Sequence, residues 1–208
     1  LCVGATGKTD NLAGFSSFGP SAVHLAAPGV AIRSTVPAYS NVSGFPEGFE
    51  GTRAQFNSRW GDRVGSPLWN RSGVRTVGQF SLADSPSGLY STTTTTSISK
   101  LAAVNLAGRS GCQIRYHMYL DTEFQDDGND LTDDWFEIWV GPTFFSGWAG
   151  WSEDVFFGIT EDFSEFDNQS GLMLRFELNP DGDGVRFTGV FLDNLIIRCL
   201  KKSAGGYV

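Results

Sequence analysis

Asp193 shares its parity with Phe191, Leu195 and Ile197 in the run Val190–Leu200, an otherwise apolar strand face. A carboxylate aimed at a core costs several kcal/mol unless a partner or a metal ion holds it. The segment from Asp121 to Asp134 packs seven carboxylates into 14 residues. Such density either binds cations or is a solvated loop between strands, and the loop is the expectation. Asn179, Asp181 and Asp183 of "NPDGDG" imitate the start of an EF-hand loop. Its twelfth position falls on Val190, where that loop needs a bidentate glutamate. Asp-Gly between two strand patterns predicts a hairpin turn instead.

Aromatic residues and thiols offer other chemistry. Trp135 and Trp139 fall on one strand face with Glu137, opposite Phe136 and Ile138. If that face is exposed it is a sugar-stacking platform; if covered, the rings pack against residues 141–170. Trp148 and Trp151 lie nearby. Cys112 and Cys199 share the buried parity of two strands, which suits either a disulfide or two buried thiols. Cys2 is then unpaired, and no Cys/His spacing suggests zinc. The two histidines, His24 and His117, are expected to be structural, with His117 on a solvent face.

These residues need strands to place them. Cys112–Leu120, Asp134–Gly141, Gly171–Leu178 and Val190–Leu200 alternate with period two, each burying one face. No window has the apolar spacing of a helix, so strands separated by turns predict a two-sheet sandwich. The polar run Ser91–Ser97 reads as an edge strand or a loop, and 141–170 as a surface excursion. Gly accounts for 26 of 208 residues and charged residues for only 18 %, which suits an extracellular, turn-rich β protein. With 15 basic and 23 acidic residues the net charge is −8, which excludes a basic nucleic-acid footprint. No apolar stretch is long enough to span a membrane as a helix. A chain beginning at Leu1 is expected to be a fragment or a processed piece.

Residues 3–37 contain "FSSFGP" and "LAAPGVAIRSTVP" and resemble the subtilisin-like serine peptidases between their oxyanion-hole asparagine and their catalytic serine. In that family "STVP" soon leads to the nucleophile motif. Here Ser34–Pro37 leads into about 165 other residues, ending at Gly205–Val208. The resemblance implies a peptidase segment over 1–37, an insert over 38–204, and a return to the peptidase at 205–208. None of the family's three catalytic motifs is present, so this chain alone is not expected to hydrolyse peptides. Residues 1–37 would lack their usual parallel α/β core, and are expected to drape on the insert or pair with a neighbouring copy in a non-physiological homo-oligomer.

The insert resembles the MAM-like jelly-roll module of secreted peptidases of the immune inhibitor A type. The matching pieces are "GFPEGFEG", "FSLADSPSGLY", "VNLAGRSGCQIRYHMYLDTE" and "FTGVFLDNLIIR". The resemblance implies an all-β, two-sheet antiparallel jelly-roll sandwich preceded by the short subtilisin-like α/β segment, and a secreted protein. It also implies a structural Ca²⁺ held by Glu50 and Asp193, with Asp84 as a further oxygen donor. The alternative is that Asp84 caps a turn and Asp193 bonds backbone amides. The function it suggests is a non-catalytic accessory domain that shapes substrate access or holds a macromolecular substrate beside the remaining peptidase domain. The alternatives are a module binding carbohydrate or a surface, with protein or polysaccharide as ligand, and a calcium-stiffened spacer.

Overall fold

Alternating apolar residues need a partner sheet to bury their inner face, and two such sheets meet here. A computed structural model describes residues 37–65, 69–124, 133–150 and 155–201, with 3–6, 11, 14, 16 and 25–28 nearer the N-terminus. The chain divides into two compact units, Leu1–Pro37 with Lys202–Val208, and Ala38–Lys201. In the first, β1 (Val3–Thr6) and β2 (Leu25–Pro28) pair in parallel, so each covers one edge of the other.

The second unit is an all-β sandwich of two antiparallel sheets, of the jelly-roll kind. Its elements are β3 (Tyr39–Asn41), α1 (Arg53–Arg59), β4 (Trp60–Val64), β5 (Asn70–Ser72), β6 (Ser81–Ala83) and β7 (Thr96–Lys100), followed by β8 (Gln113–Asp121), β9 (Trp135–Val140), β10 (Thr143–Trp148), β11 (Phe157–Asp162), β12 (Leu174–Asn179) and β13 (Gly189–Leu200). The five-stranded sheet runs β10-β9-β12-β7-β4. The six-stranded sheet runs β11-β8-β13-β6-β5, with β3 beside the end of β13. Ile114, Tyr116, Met118 and Leu120 of β8 face Phe136 and Ile138 of β9 and Leu174, Phe176 and Leu178 of β12 in one core. Trp60 stacks on Phe176 at 5.4 Å between centroids. Each side chain so buried contributes roughly 1.5–3 kcal/mol.

The parity assigned to Asp193 is corrected by a bulge. The β13–β8 register shifts between Asp193 and Ile196, and Asn194 takes φ of 50°. Val190 and Leu192 face the core before the bulge, and Leu195, Ile197 and Cys199 after it. An extra residue flips the alternation, so Phe191 and Asp193 lie on the outer face. Phe191 there joins Tyr119, Ala83 and Phe156 in a small satellite cluster.

Four further expectations change. Residues 91–95 of the polar run Ser91–Ser97 form the loop expected, but Thr96 and Ser97 begin β7, which lies between β12 and β4 and is no edge; the buried Thr96 hydroxyl accepts from Trp69 Nε1 at 2.9 Å. A short helix does form. Thr52 and Gln55 make a capping box over α1, a signature legible in "TRAQ" that apolar spacing alone overlooks. The stretch 141–170 supplies β10 and β11, one edge strand to each sheet. Finally, Asn179–Gly184 joins β12 to β13, which lie in different sheets, so it is an arch and not a hairpin.

Cys112 and Cys199 are joined by a disulfide, each next to a member of the pair Arg198 and Gln113 that ends the β13–β8 ladder. The bridge closes a sequence separation of 87 residues, which restricts the unfolded chain. The double variant C112A/C199A is predicted to lose about 2–4 kcal/mol of unfolding free energy, read from urea titrations. An unshifted urea midpoint would contradict this.

Candidate ligand-binding face

The outer side chains of the five-stranded sheet stand in rows across the strands, because facing residues of antiparallel strands project together. In the first row Phe144 (β10) faces Trp139 (β9), Trp139 faces Arg175 (β12), and Arg175 faces Ser99 (β7). In the second row Gly147, Glu137, Glu177 and Ser97 follow one another across the same strands. Trp135 and Asn179 form a third. Along β9, Trp135 and Trp139 straddle Glu137, their Cα atoms roughly 14 Å apart at about 3.4 Å per residue.

Trp139 is half-buried and held on three sides. Phe144, itself exposed, meets it edge-on at 5.6 Å, and the Arg175 guanidinium lies 5.1 Å from its ring centre. Its Nε1 donates to Glu137 Oε2 at 2.8 Å. Arg175 Nε also lies 3.4 Å from Glu177 Oε2, an ion pair without hydrogen-bond alignment. Trp135 is half-buried too. Both tryptophans therefore pack and remain partly open. Trp148 belongs with the core instead: its Nε1 donates to the Tyr116 hydroxyl and its ring meets Phe157. Trp151 and His24 lie outside the described residues.

The three residues that the resemblance gave to calcium do not gather into one donor set. Glu50 and Asp193 do meet, on the loop before β6. Glu50 Oε1 accepts from the amides of Gln79 and Phe80, at 2.6 and 3.3 Å. Asp193 Oδ2 accepts from the amides of Val77 and Gly78, and its Oδ1 from that of Asn194. A Cβ at Gly78 would fall 2.2 Å from Glu50 Oε1, so a side chain there would require the Glu50 carboxylate to shift. Burial raises the Asp193 carboxyl above its usual range, and the negative Glu50 adds to this.

Asp84 stands apart from that pair. It follows Ala83, which pairs with Phe191, so it lies beside Val190 rather than Asp193. Fully buried, it accepts from the Val190 amide at 2.7 Å and the Ser85 hydroxyl at 2.6 Å. Burial pushes its carboxyl up to about 7. A Cβ at Gly189 would come within 2.2 Å of Asp84 Oδ1, so only glycine admits this contact.

Of the acidic segment from Asp121 to Asp134, residues 125–132 lie outside the described residues, and the correction concerns its ends. Glu123, Asp133 and Asp134 at its ends are buried. Protein groups replace water there: the Tyr90 hydroxyl donates to Asp134 Oδ2, and the Asp181 amide donates to Asp134 Oδ1 at 2.7 Å. Burial raises the Asp134 carboxyl, with Asp181 and Asp183 adding to it. Oxygens of Glu123, Asp181 and Asp183 lie within 4.8 Å of one another. Sequence reasoning missed this meeting because the arch that delivers Asp181 was read as a hairpin. His117 stands on the outer face of the six-stranded sheet, opposite Asp193 in register and against Gly158.

No family model and no curated protein matches the sequence. Among solved structures the chain is similar to the carbohydrate-binding module TmCBM61 in complex with β-1,4-galactotriose. That likeness has a TM-score of 0.43 and 7 % identity, over 66 % of this chain and 86 % of that one. It is also similar to the isomalto-dextranase of Arthrobacter globiformis T6 complexed with panose, with a TM-score of 0.34 and 12 % identity, over 67 % of this chain and 21 % of that one. At these scores the ligand question rests on this chain's own residues.

Asp84 yields a pH prediction. Its folded pKa, about 7, exceeds the ordinary 3.8, so the fold prefers the neutral acid. The cost is absent below about pH 4, grows as pH rises through the interval to about 7, and is complete above it. Melting temperatures measured across this range should fall with rising pH less steeply in Asp84→Asn than in the parent. Identical slopes would contradict a buried, proton-binding Asp84.

Proposed function

We propose that the Ala38–Lys201 sandwich is a non-catalytic module that binds carbohydrate through the outer face of its five-stranded sheet. One observation carries this reading: the aromatic row Phe144–Trp139–Arg175 lies directly beside the carboxylate row Glu137–Glu177, with Trp135 beyond it. A sugar ring presents apolar C–H faces and a rim of hydroxyls. Exposed aromatic edges suit the first, and carboxylates and Asn179 suit the second. The ring of Trp139 is fixed in place by Phe144, Arg175 and Glu137, so little conformational freedom is lost on binding. Retention in polysaccharide-containing native gels tests this. Trp139→Ala should weaken retention by about tenfold or more, a loss of roughly 1.4 kcal/mol. Val74→Ala, at an exposed position away from this sheet, should not. Equal retention of Trp139→Ala and the parent would refute the face.

A second reading concerns where the module sits, and another observation favours it. The Lys201 amide donates to the Ala38 carbonyl at 2.7 Å, and β3 pairs with the end of β13. Entry and exit lie side by side, as they must in a domain inserted into a host loop. With the resemblance of residues 3–37, this supports an accessory domain carried by a subtilisin-like peptidase. There it would hold a macromolecular substrate near the cleft by raising its local concentration.

Calcium is proposed only for the pair that meets, Glu50 and Asp193. Added calcium should raise the melting temperature by several degrees over a chelated sample, and Asp193→Ala should abolish the shift. A shift surviving that substitution would place the ion elsewhere, and no shift would leave both carboxylates as loop ties.

A further inference from the structure

We propose that the Glu137–Glu177 pair makes the face selective for uncharged, hydroxyl-rich glycans and turns acidic polysaccharides away. This rests on the carbohydrate-binding reading and adds the charge class of the ligand. The two glutamates are directly opposite in the β9–β12 ladder. Facing positions hold their Cβ atoms about 5 Å apart, where like charges destabilise the sheet. Nothing else in their row offsets them, since Gly147 and Ser97 bring no charge. The neighbouring row contributes one cation, Arg175, so these rows sum to −2 + 1 = −1.

Arg175, the cation of these rows, is already shared between two groups of the face. The Trp139 ring occupies one side of its guanidinium, and Glu177 lies 3.4 Å from its Nε. The carboxylates can only accept hydrogen bonds, and one Glu137 oxygen already accepts from Trp139. A ligand settling on this row must therefore bring donors and no negative charge. Sugar hydroxyls meet that demand, whereas a uronate or sulfate group would face two carboxylates in partly desolvated surroundings. Selection acts through repulsion of the wrong ligand as much as attraction of the right one. The chain's net charge of −8 works in the same direction at long range.

The test is affinity electrophoresis of the whole chain against neutral polymers (mixed-linkage glucan, galactan, xylan, mannan) and uronate polymers (polygalacturonate, alginate). The parent should be retarded by at least one neutral polymer and far less by either uronate. Glu137→Gln combined with Glu177→Gln should raise the uronate-to-neutral affinity ratio by about tenfold or more. Raising NaCl from about 20 mM to about 300 mM should increase any uronate retention of the parent, because screening weakens repulsion. This salt series decides the matter without a variant, should the double substitution fail to fold. Uronate binding equal to neutral binding, an unchanged ratio in a variant with a native melting curve, or uronate retention that falls with salt overturns the selectivity and leaves the carbohydrate reading standing. No retention on any polymer removes both.

Discussion

The bulge in β13 is the constraint on which the sandwich turns. A twelve-residue strand with strict alternation would bury one parity throughout, and here that would place Asp193 among Leu195 and Ile197. The shift at Asp193–Ile196 lets the strand bury Val190 and Leu192 before it and Leu195, Ile197 and Cys199 after it. The carboxylate is thereby delivered to the outside, where three backbone amides receive it. The strand also pairs with β8, β6 and β3 and bridges to Glu47. Its core side anchors the disulfide, so one irregular strand joins the N-terminal and C-terminal parts of the unit.

Polar groups in the interior are tied to this frame rather than left over from it. Glu47 is buried, and it accepts from Arg59 Nε at 2.6 Å, from Trp60 Nε1 and from the Phe49 amide. That network fastens α1 and β4 to the centre of β13. Asp84 plays a comparable part at the strand's beginning. Each buried carboxylate is costly alone and tolerable only with its donors in place, so these sites specify register as well as stability. The candidate face benefits indirectly. β9 and β12 are both interior strands, their inner residues Phe136, Ile138 and Phe176 fully buried, and such anchoring keeps the outer rows in fixed register.

The two-sheet class and the strands β8, β9, β12 and β13 were legible in the sequence, because period two is a local signal and each of these strands buries one face. Trp135, Glu137 and Trp139 were placed on one face by the same logic. What stood beside them was not legible, since pairing β9 with β12 depends on sheet order and not on local pattern. Glu177 and Arg175 thus entered the face only with the structure. The bulge hid the true orientation of Asp193, as one added residue inverts everything on one side of it. The arch at Asn179–Gly184 was misjudged for another reason: Asp-Gly turn chemistry specifies a reversal but not whether the chain changes sheet. The helix α1 was missed because it buries only Phe56 and so has no apolar stripe to detect.

The most direct test of the binding face is to follow the tryptophan indole N–H resonances while a soluble neutral oligosaccharide is titrated into the protein. These protons report separate surroundings: Trp60 donates to Glu47, Trp69 to Thr96, Trp148 to Tyr116 and Trp139 to Glu137. The account predicts that the Trp139 signal moves with ligand concentration while those of Trp60 and Trp69 in the core stay still. A stationary Trp139 signal, with shifts instead at His117 and Tyr119 on the opposite sheet, would contradict it.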